Sequence, residues 1–290
     1  MPGHGLAARA AGLVRLVHPF PSLLDGLAVV AVALVAGAAI ETAVLLGLGM
    51  TLLQSAIGAL NDLVDSPHDA GRKPGKPIPG GLVSRDVATI VIVATAGGGV
   101  GLVAVASPVE PPDGRMLMVG IAIIGLGIGA TYDLKASGTA WSWLPFAVGI
   151  PLLPVFGWFG ATGSLPIWFI VLVPLAVLAG AALAIANARA DLERDRDAGV
   201  GSVAIRLGLR ESWLLHGGLF ALAAALAVGS LYAMGTSVPT FGLVALGLGV
   251  VGLGIWLGRA GPAPRRERAW QLEAIGTAVV AIGWLASVAR

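Results

Sequence analysis

Gln54-Ser55-Ala56-Ile57-Gly58-Ala59-Leu60-Asn61-Asp62-Leu63-Val64-Asp65-Ser66-Pro67-His68-Asp69 begins as an apolar run and ends in acid. Asn61, Asp65 and Asp69 stand at i, i+4 and i+8, a spacing that sets three oxygen-bearing side chains along one face of a helix. The pattern returns as Asn187-Ala188-Arg189-Ala190-Asp191-Leu192-Glu193-Arg194-Asp195. Each copy closes a hydrophobic stretch of roughly 20 residues, enough for a helix to cross the hydrocarbon core of a bilayer. Carboxylates stacked one turn apart repel, so a cation is expected beside each set. Magnesium suits them, because it takes oxygen ligands and commonly bridges one or two protein carboxylates to substrate phosphates.

Outward from these two stretches the chain is apolar. Of its 290 residues 57% are hydrophobic and 12% charged, whereas soluble domains carry about 25% charged residues. Nine stretches are long enough to span, near 20–38, 43–61, 87–107, 115–132, 142–161, 165–187, 214–235, 240–258 and 270–288. The sequence therefore predicts an all-α integral membrane protein, a bundle of nine transmembrane helices forming a single domain over 1–290. There is no cysteine, which excludes disulfides, thiolate nucleophiles and CxxC metal or redox sites.

Lysine and arginine set the orientation. With the N-terminus in the cytoplasm, the inner segments hold Arg9, Arg15, Arg72, Lys73, Lys76, Arg85, Lys135 and nine further arginines, leaving Arg115 and Arg290 outside. The expectation is a multi-pass protein of the plasma membrane with its C-terminus outside. Both Asn/Asp sets follow even-numbered spans and so fall on the cytoplasmic side, within cap loops near 62–86, 133–141 and 188–213. This distribution also accounts for the basic residues without nucleic acid, since no basic patch with interleaved aromatics is left over.

After the first set comes Arg72-Lys73-Pro74-Gly75-Lys76-Pro77-Ile78-Pro79-Gly80-Gly81. Its three cations on a proline-stiffened backbone suit the grip of phosphate oxygens. Gly75-Lys76 is not a P-loop lysine, because Pro77 stands where a serine or threonine is needed. Gly247-Leu248-Gly249-Val250-Val251-Gly252 fits a dinucleotide fingerprint in letters only. It lies inside a span and is expected to pack helices.

Asn61-Asp62-Leu63-Val64-Asp65-Ser66-Pro67-His68-Asp69-Ala70, followed by Lys76-Pro77-Ile78-Pro79-Gly80-Gly81, resembles the first aspartate-rich motif and basic-Pro-Ile-Pro segment of the UbiA superfamily of prenyltransferases. Asp191 to Gly199, continuing into Ala204-Ile205-Arg206-Leu207-Gly208, is similar to that family's second motif. The likeness extends over essentially the whole chain. It implies an intramembrane enzyme that moves a prenyl group from a polyprenyl diphosphate to a small acceptor of the aromatic or quinone-precursor class.

The resemblance assigns Mg2+ to Asn61, Asp65, Asp69, Asn187, Asp191 and Asp195. It assigns the diphosphate to Asn61, Asn187, Arg72, Lys73 and Lys76. Tyr132-Asp133-Leu134-Lys135 is similar to a segment whose tyrosine lies near the reacting carbon and whose lysine serves the diphosphate. Here Ser137 stands where relatives often carry that lysine, and Lys135 lies two residues earlier. Asp65, Asp69, Asp191, Asp195 and Tyr132 are thus the expected catalytic residues, and Arg15, His18 and Asp25 the expected acceptor pocket. Side chains do not choose among hydroxybenzoate, naphthoate, glycerol phosphate and tetrapyrrole acceptors. A membrane terpene cyclase with no external acceptor is the first alternative. An ion-coupled transporter is the second, since duplicated halves and intramembrane charge are compatible with one.

Overall fold

A computed structural model describes residues 5–71, 75–106, 112–235 and 238–289. Among these the chain is helical throughout, without strands. The helices are α1 (Leu6–Leu16), α2 (Pro19–Val35), α3 (Ile40–Asp69), α4 (Arg85–Ala106), α5 (Pro112–Thr131), α6 (Trp143–Thr162), α7 (Phe169–Ala190), α8 (Leu192–Asp197), α9 (Val203–Ala233), α10 (Val238–Leu257) and α11 (Ala263–Val288). A π-helical turn, Tyr132–Ala136, continues α5.

Each of the nine predicted spans falls on one of these helices, but the count of nine is not reached on length alone. Seven segments among the described residues are long and apolar enough to cross a membrane unaided. An eighth requires α1 and α2 together, joined through a 53° bend. The remaining predicted span falls on α10, whose Phe241–Leu257 stretch is apolar. The bend has a local cause. The ring of Pro19 disfavours helical backbone at His18, which takes the left-handed conformation at φ 47 and ψ 69. Pro19 then opens α2, where its missing N–H costs nothing.

The helices divide between two compact units. One holds the chain as far as Leu134 together with Phe156–Gly163; the other holds Lys135–Val155 and everything from Ser164. In the first, α3 packs against α2 and α4. Helix α3 has 30 residues, about 45 Å at 1.5 Å per residue, against a hydrocarbon core of about 30 Å. An apolar span and a polar extension therefore fit on one uninterrupted helix, and the extension carries Asn61 to Asp69. In the second unit α10 packs against α11, and α7 against α9 and α11. Many exposed positions are large and apolar, among them Ile90, Val93, Val105, Ile170 and Leu246, as expected of helices solvated by lipid.

Without water to drive apolar faces together, membrane helices gain by close backbone approach at small residues. Gly26 of α2 and Gly47 of α3 meet this way: a Cβ at either would lie 2.8 Å from the other's carbonyl oxygen. Gly247 and Gly276 make the same crossing between α10 and α11, at 2.9 and 2.8 Å. The letters that imitate a dinucleotide fingerprint thus mark a helix contact at Gly247, while Gly249 and Gly252 face open space.

Gly276→Val should force α10 and α11 apart, at a cost of about 1–3 kcal/mol. Gly249→Ala should cost nothing measurable. Thermal unfolding midpoints of the two variants in detergent would settle the point; equal midpoints would refute the crossing.

Candidate active site

In the first unit the acidic end of α3 meets the π-helical turn, the loop after residue 75 and the α1–α2 bend. Asn61 and Asp65 share a face as their spacing predicts, and the Asn61 amide Nδ2 donates to Asp65 Oδ2 at 3.3 Å. The same nitrogen donates at 3.1 Å to Oδ1 of Asp133, which is 5% exposed. Asp133 is the functional candidate that sequence reasoning missed. Its one signal was an acidic residue ending an apolar span, beside a tyrosine that took the attention.

Asp69 lies elsewhere. Eight residues at about 100° each rotate it about 80° from Asn61, whereas seven residues return it to within about 20° of Asp62. Asp62 and Asp69 accordingly share the face toward Lys76. Lys76 Nζ bonds to Asp62 Oδ1 and stands 4.0 Å from Asp69 Oδ2. His18 Nε2 donates to Asp62 Oδ1 at 2.8 Å. A Cβ at position 58 would come within 2.9 Å of the His18 Cβ, so Gly58 is what lets His18 lie across α3.

The loop delivers Lys76 because it is built to be rigid. Pro77 O accepts from Leu82 N at 3.0 Å and Val83 N at 3.2 Å, and Lys76 O accepts from Gly80 N at 3.1 Å. Val83 is buried with Leu16, Ala59 and Ala88, with Ile78 and Leu82 packed against them. Arg85 ties the next helix to the same place by donating to Ser66 Oγ.

Tyr132 opens the π-helical turn and is half-buried, while Lys135 is exposed. Arg15 is exposed on α1, its Nη1 3.9 Å from where a Cβ on Gly75 would stand. Asp25 is half-buried on α2. Arg72 and Lys73 lie outside the described residues.

In the second unit Asn187 lies half-buried in the last turn of α7. Asp191 occupies the break between α7 and α8 and pairs with Arg194. Asp195 is half-buried one turn on, its N–H bonded to Asp191 O at 2.9 Å. Between them Arg189 points the other way, into the packing, at 2% exposure.

The donor set fits magnesium. Among the described residues no three His, Asp or Glu side chains are grouped so as to hold a metal ion. What the first unit offers is two carboxylates bridged by an amide, and a buried Asp133 Oδ2 without a hydrogen-bond donor. Asp65 and Asp133 share the Asn61 amide, while Asp62 and Asp69 face Lys76, and His18 bonds to Asp62. An ion that takes one or two carboxylates, keeps several waters and completes its shell with phosphate oxygens matches that supply.

The model of the UbiA prenyltransferase family matches residues 23–285. This chain belongs to the UbiA prenyltransferase family. It is a multi-pass membrane enzyme of prenyl transfer, which sets the transporter reading aside. A digeranylgeranylglyceryl phosphate synthase from Methanoregula boonei is 30% identical over 216 residues, covering 70% of this chain and 71% of that protein. The fold is shared with a UbiA homologue from Aeropyrum pernix K1 in its apo form, at TM-score 0.70 and 20% identity over 90% of this chain and 95% of that one. A UbiA homologue from Archaeoglobus fulgidus bound to GPP and Mg2+ gives TM-score 0.70 and 17% identity over 93% and 99%.

Lys76→Met should leave Asp62, 2% exposed, as a buried charge without its ammonium, at a cost of about 3 kcal/mol. Adding Asp62→Asn should recover most of that loss. Chemical denaturation of the single and double variants in detergent measures both, and a double variant no more stable than Lys76→Met alone would contradict the pairing.

Proposed function

We propose that this enzyme transfers a prenyl group from a polyprenyl diphosphate to a small anionic acceptor, with Mg2+ held by the two Asn/Asp sets. The observation that carries this reading is the Asn61 amide bridging Asp65 and Asp133 at the polar end of an apolar helix. The Archaeoglobus fulgidus relative bound to GPP and Mg2+ supports the donor and the metal. Asn61, Asp65, Asp69, Asn187, Asp191 and Asp195 are the metal-bearing groups, and Asp133 joins them.

Bound Mg2+ supplies positive charge that neutralises the diphosphate as it leaves. The protein's part is to hold that group and to keep the reacting carbon dry. Lys76, fixed by its loop, adds a cation for the diphosphate, with Arg72, Lys73, Asn187 and Lys135 as further ligands. The allylic carbon–oxygen bond breaks with its electron pair going to the diphosphate. The acceptor's nucleophile then bonds to the carbon and gives up a proton. Tyr132 is assigned to the reacting carbon, whose developing charge a dry, electron-rich wall favours.

Arg15, His18 and Asp25 are the acceptor-side residues. The Arg15 guanidinium suits an anion, either an aromatic acid or quinone precursor or a phosphoglycerol. The Methanoregula boonei synthase favours the phosphoglycerol class. The chain acts as one functional domain over 1–290, with cap loops near 62–86, 133–141 and 188–213. It lies in the plasma membrane with its N-terminus and both carboxylate sets cytoplasmic, as the lysine and arginine distribution supports.

Purified protein given Mg2+ and geranyl or geranylgeranyl diphosphate should release diphosphate and prenylate one acceptor class. EDTA should abolish turnover, and Asp65→Ala or Asp191→Ala should lower kcat at least about 100-fold with the fold intact. Retained Mg2+-dependent turnover in both variants would overturn the site. A cyclic product made without acceptor would replace transfer by cyclisation. Alkaline phosphatase fused after Val288 should be active outside the cell, and activity confined to fusions in the loop near residue 261 would reverse the orientation.

A further inference from the structure

The second carboxylate set hangs on a helix end. Helix α7 stops at Ala190 and α8 runs only from Leu192 to Asp197, so the last carbonyls of α7 lack intrahelical donors. One of them, Arg189 O, accepts from Arg266 Nε at 2.7 Å. The same guanidinium donates through Nη1 to Gly261 O and through Nη2 to Glu193 Oε2. One planar fork thus joins the last turn of α7, the first turn of α8 and the link that opens α11. Such a fork holds three acceptors in fixed directions, which a lysine ammonium on a flexible stem does not do.

Arg189 completes the assembly from the other side. Its Nη1 donates to Ser212 Oγ at 2.8 Å and to Leu209 O, and its Nη2 to Gly258 O at 2.8 Å. Ser212 in turn donates to Gly208 O at 2.6 Å, where α9 breaks at a glycine with φ 78. Arg189 and Arg266 are 2% and 3% exposed, whereas Arg265 and Arg268 beside the latter are exposed. Arg265, Arg266 and Arg268 are among the arginines that set the orientation of the chain, yet that role gives Arg266 no reason to be buried.

Two buried guanidiniums are a poor way to gain stability, since apolar residues of similar volume serve as well or better. They are a good way to fix a backbone. We propose that Arg189 and Arg266 are positioning residues for the second carboxylate set, locking the α7–α8 break so that Asn187, Asp191 and Asp195 are held ready for Mg2+ and diphosphate. This rests on the proposed function for its ligand but not for its geometry.

Arg266→Lys and Arg266→Gln should raise the half-saturating Mg2+ concentration about tenfold or more, with kcat at saturating Mg2+ close to that of the unaltered protein. Without substrate or metal, amide hydrogen exchange over residues 190–198 should accelerate in the same variants. Arg265→Gln, which removes the same charge from an exposed neighbour, should do neither. If Arg266 variants fail to fold, Glu193→Gln removes only the half-exposed leg of the fork and should show a smaller shift of the same kind. Unchanged exchange in Arg266→Lys overturns the proposal, as does a general loss of stability with unaltered Mg2+ dependence. Absence of Mg2+-dependent turnover in the unaltered protein would sink the proposed function instead, leaving the exchange result to judge the clamp.

Discussion

A carboxylate at the end of an apolar helix has to be answered by positive charge, and the surroundings of Asp62 follow from that need. Its Oδ1 takes both Lys76 and His18 while the side chain is almost wholly buried. Lys76 can serve only if its loop is rigid, which explains the turn closed on Pro77 and pinned by buried Val83. His18 can serve only from a left-handed backbone, a conformation that costs a residue of this type of order 1–3 kcal/mol. The bond to Asp62 and the space left by Gly58 are what the rest of the unit sets against that cost.

The helices can carry so much polarity because they obtain cohesion elsewhere. Gly26 with Gly47, and Gly247 with Gly276, bring backbones close enough that a methyl group would collide with a carbonyl. These crossings lie along the apolar lengths of α2, α3, α10 and α11. Helix α3 shows the division most plainly: its glycines and alanines bury against neighbours, and its last nine residues hold asparagine, aspartate and histidine. The length that exceeds a bilayer and the chemistry that exceeds packing are the same residues.

Much of this was legible in the letters, and the failures have physical causes. Each apolar run of spanning length fell on a helix, because lipid demands continuous apolarity, although seven or eight segments among the described residues qualify as spans. They did not reveal the proline-forced bend that separates α1 from α2. The i, i+4 relation of Asn61 and Asp65 was visible because helical geometry is local. Asp69 was grouped with them on a repeat of four, although the accumulated rotation turns it toward Lys76. Asp133 was not visible as a partner of Asn61, being 72 residues away in the chain. Arg266 was indistinguishable from its neighbours because charge patterning reports the side of the membrane and not depth of burial.

The two Asn/Asp sets are alike as sequence and unlike as construction. The first sits on one unbroken helix, and the neighbouring Asp62 is answered from the front by a lysine on a stiff loop and a histidine at a bend. The second straddles a helix break, where Asp191 itself is the junction. A break removes the geometric guarantee that i, i+4, i+8 spacing gives on a continuous helix, so the orientation of Asp191 and Asp195 relative to Asn187 has to be imposed from outside. The buried guanidiniums bond to Arg189 O and Glu193 at that junction and to Leu209 O, Ser212, Gly258 O and Gly261 O on the elements around it. Beside the first set, Lys76 bonds to Asp62 and stands 4.0 Å from Asp69 Oδ2. On this reasoning the first set is the more rigid and the second the more responsive to its scaffold, and substitutions behind the helix matter at the second where substitutions in front of it matter at the first.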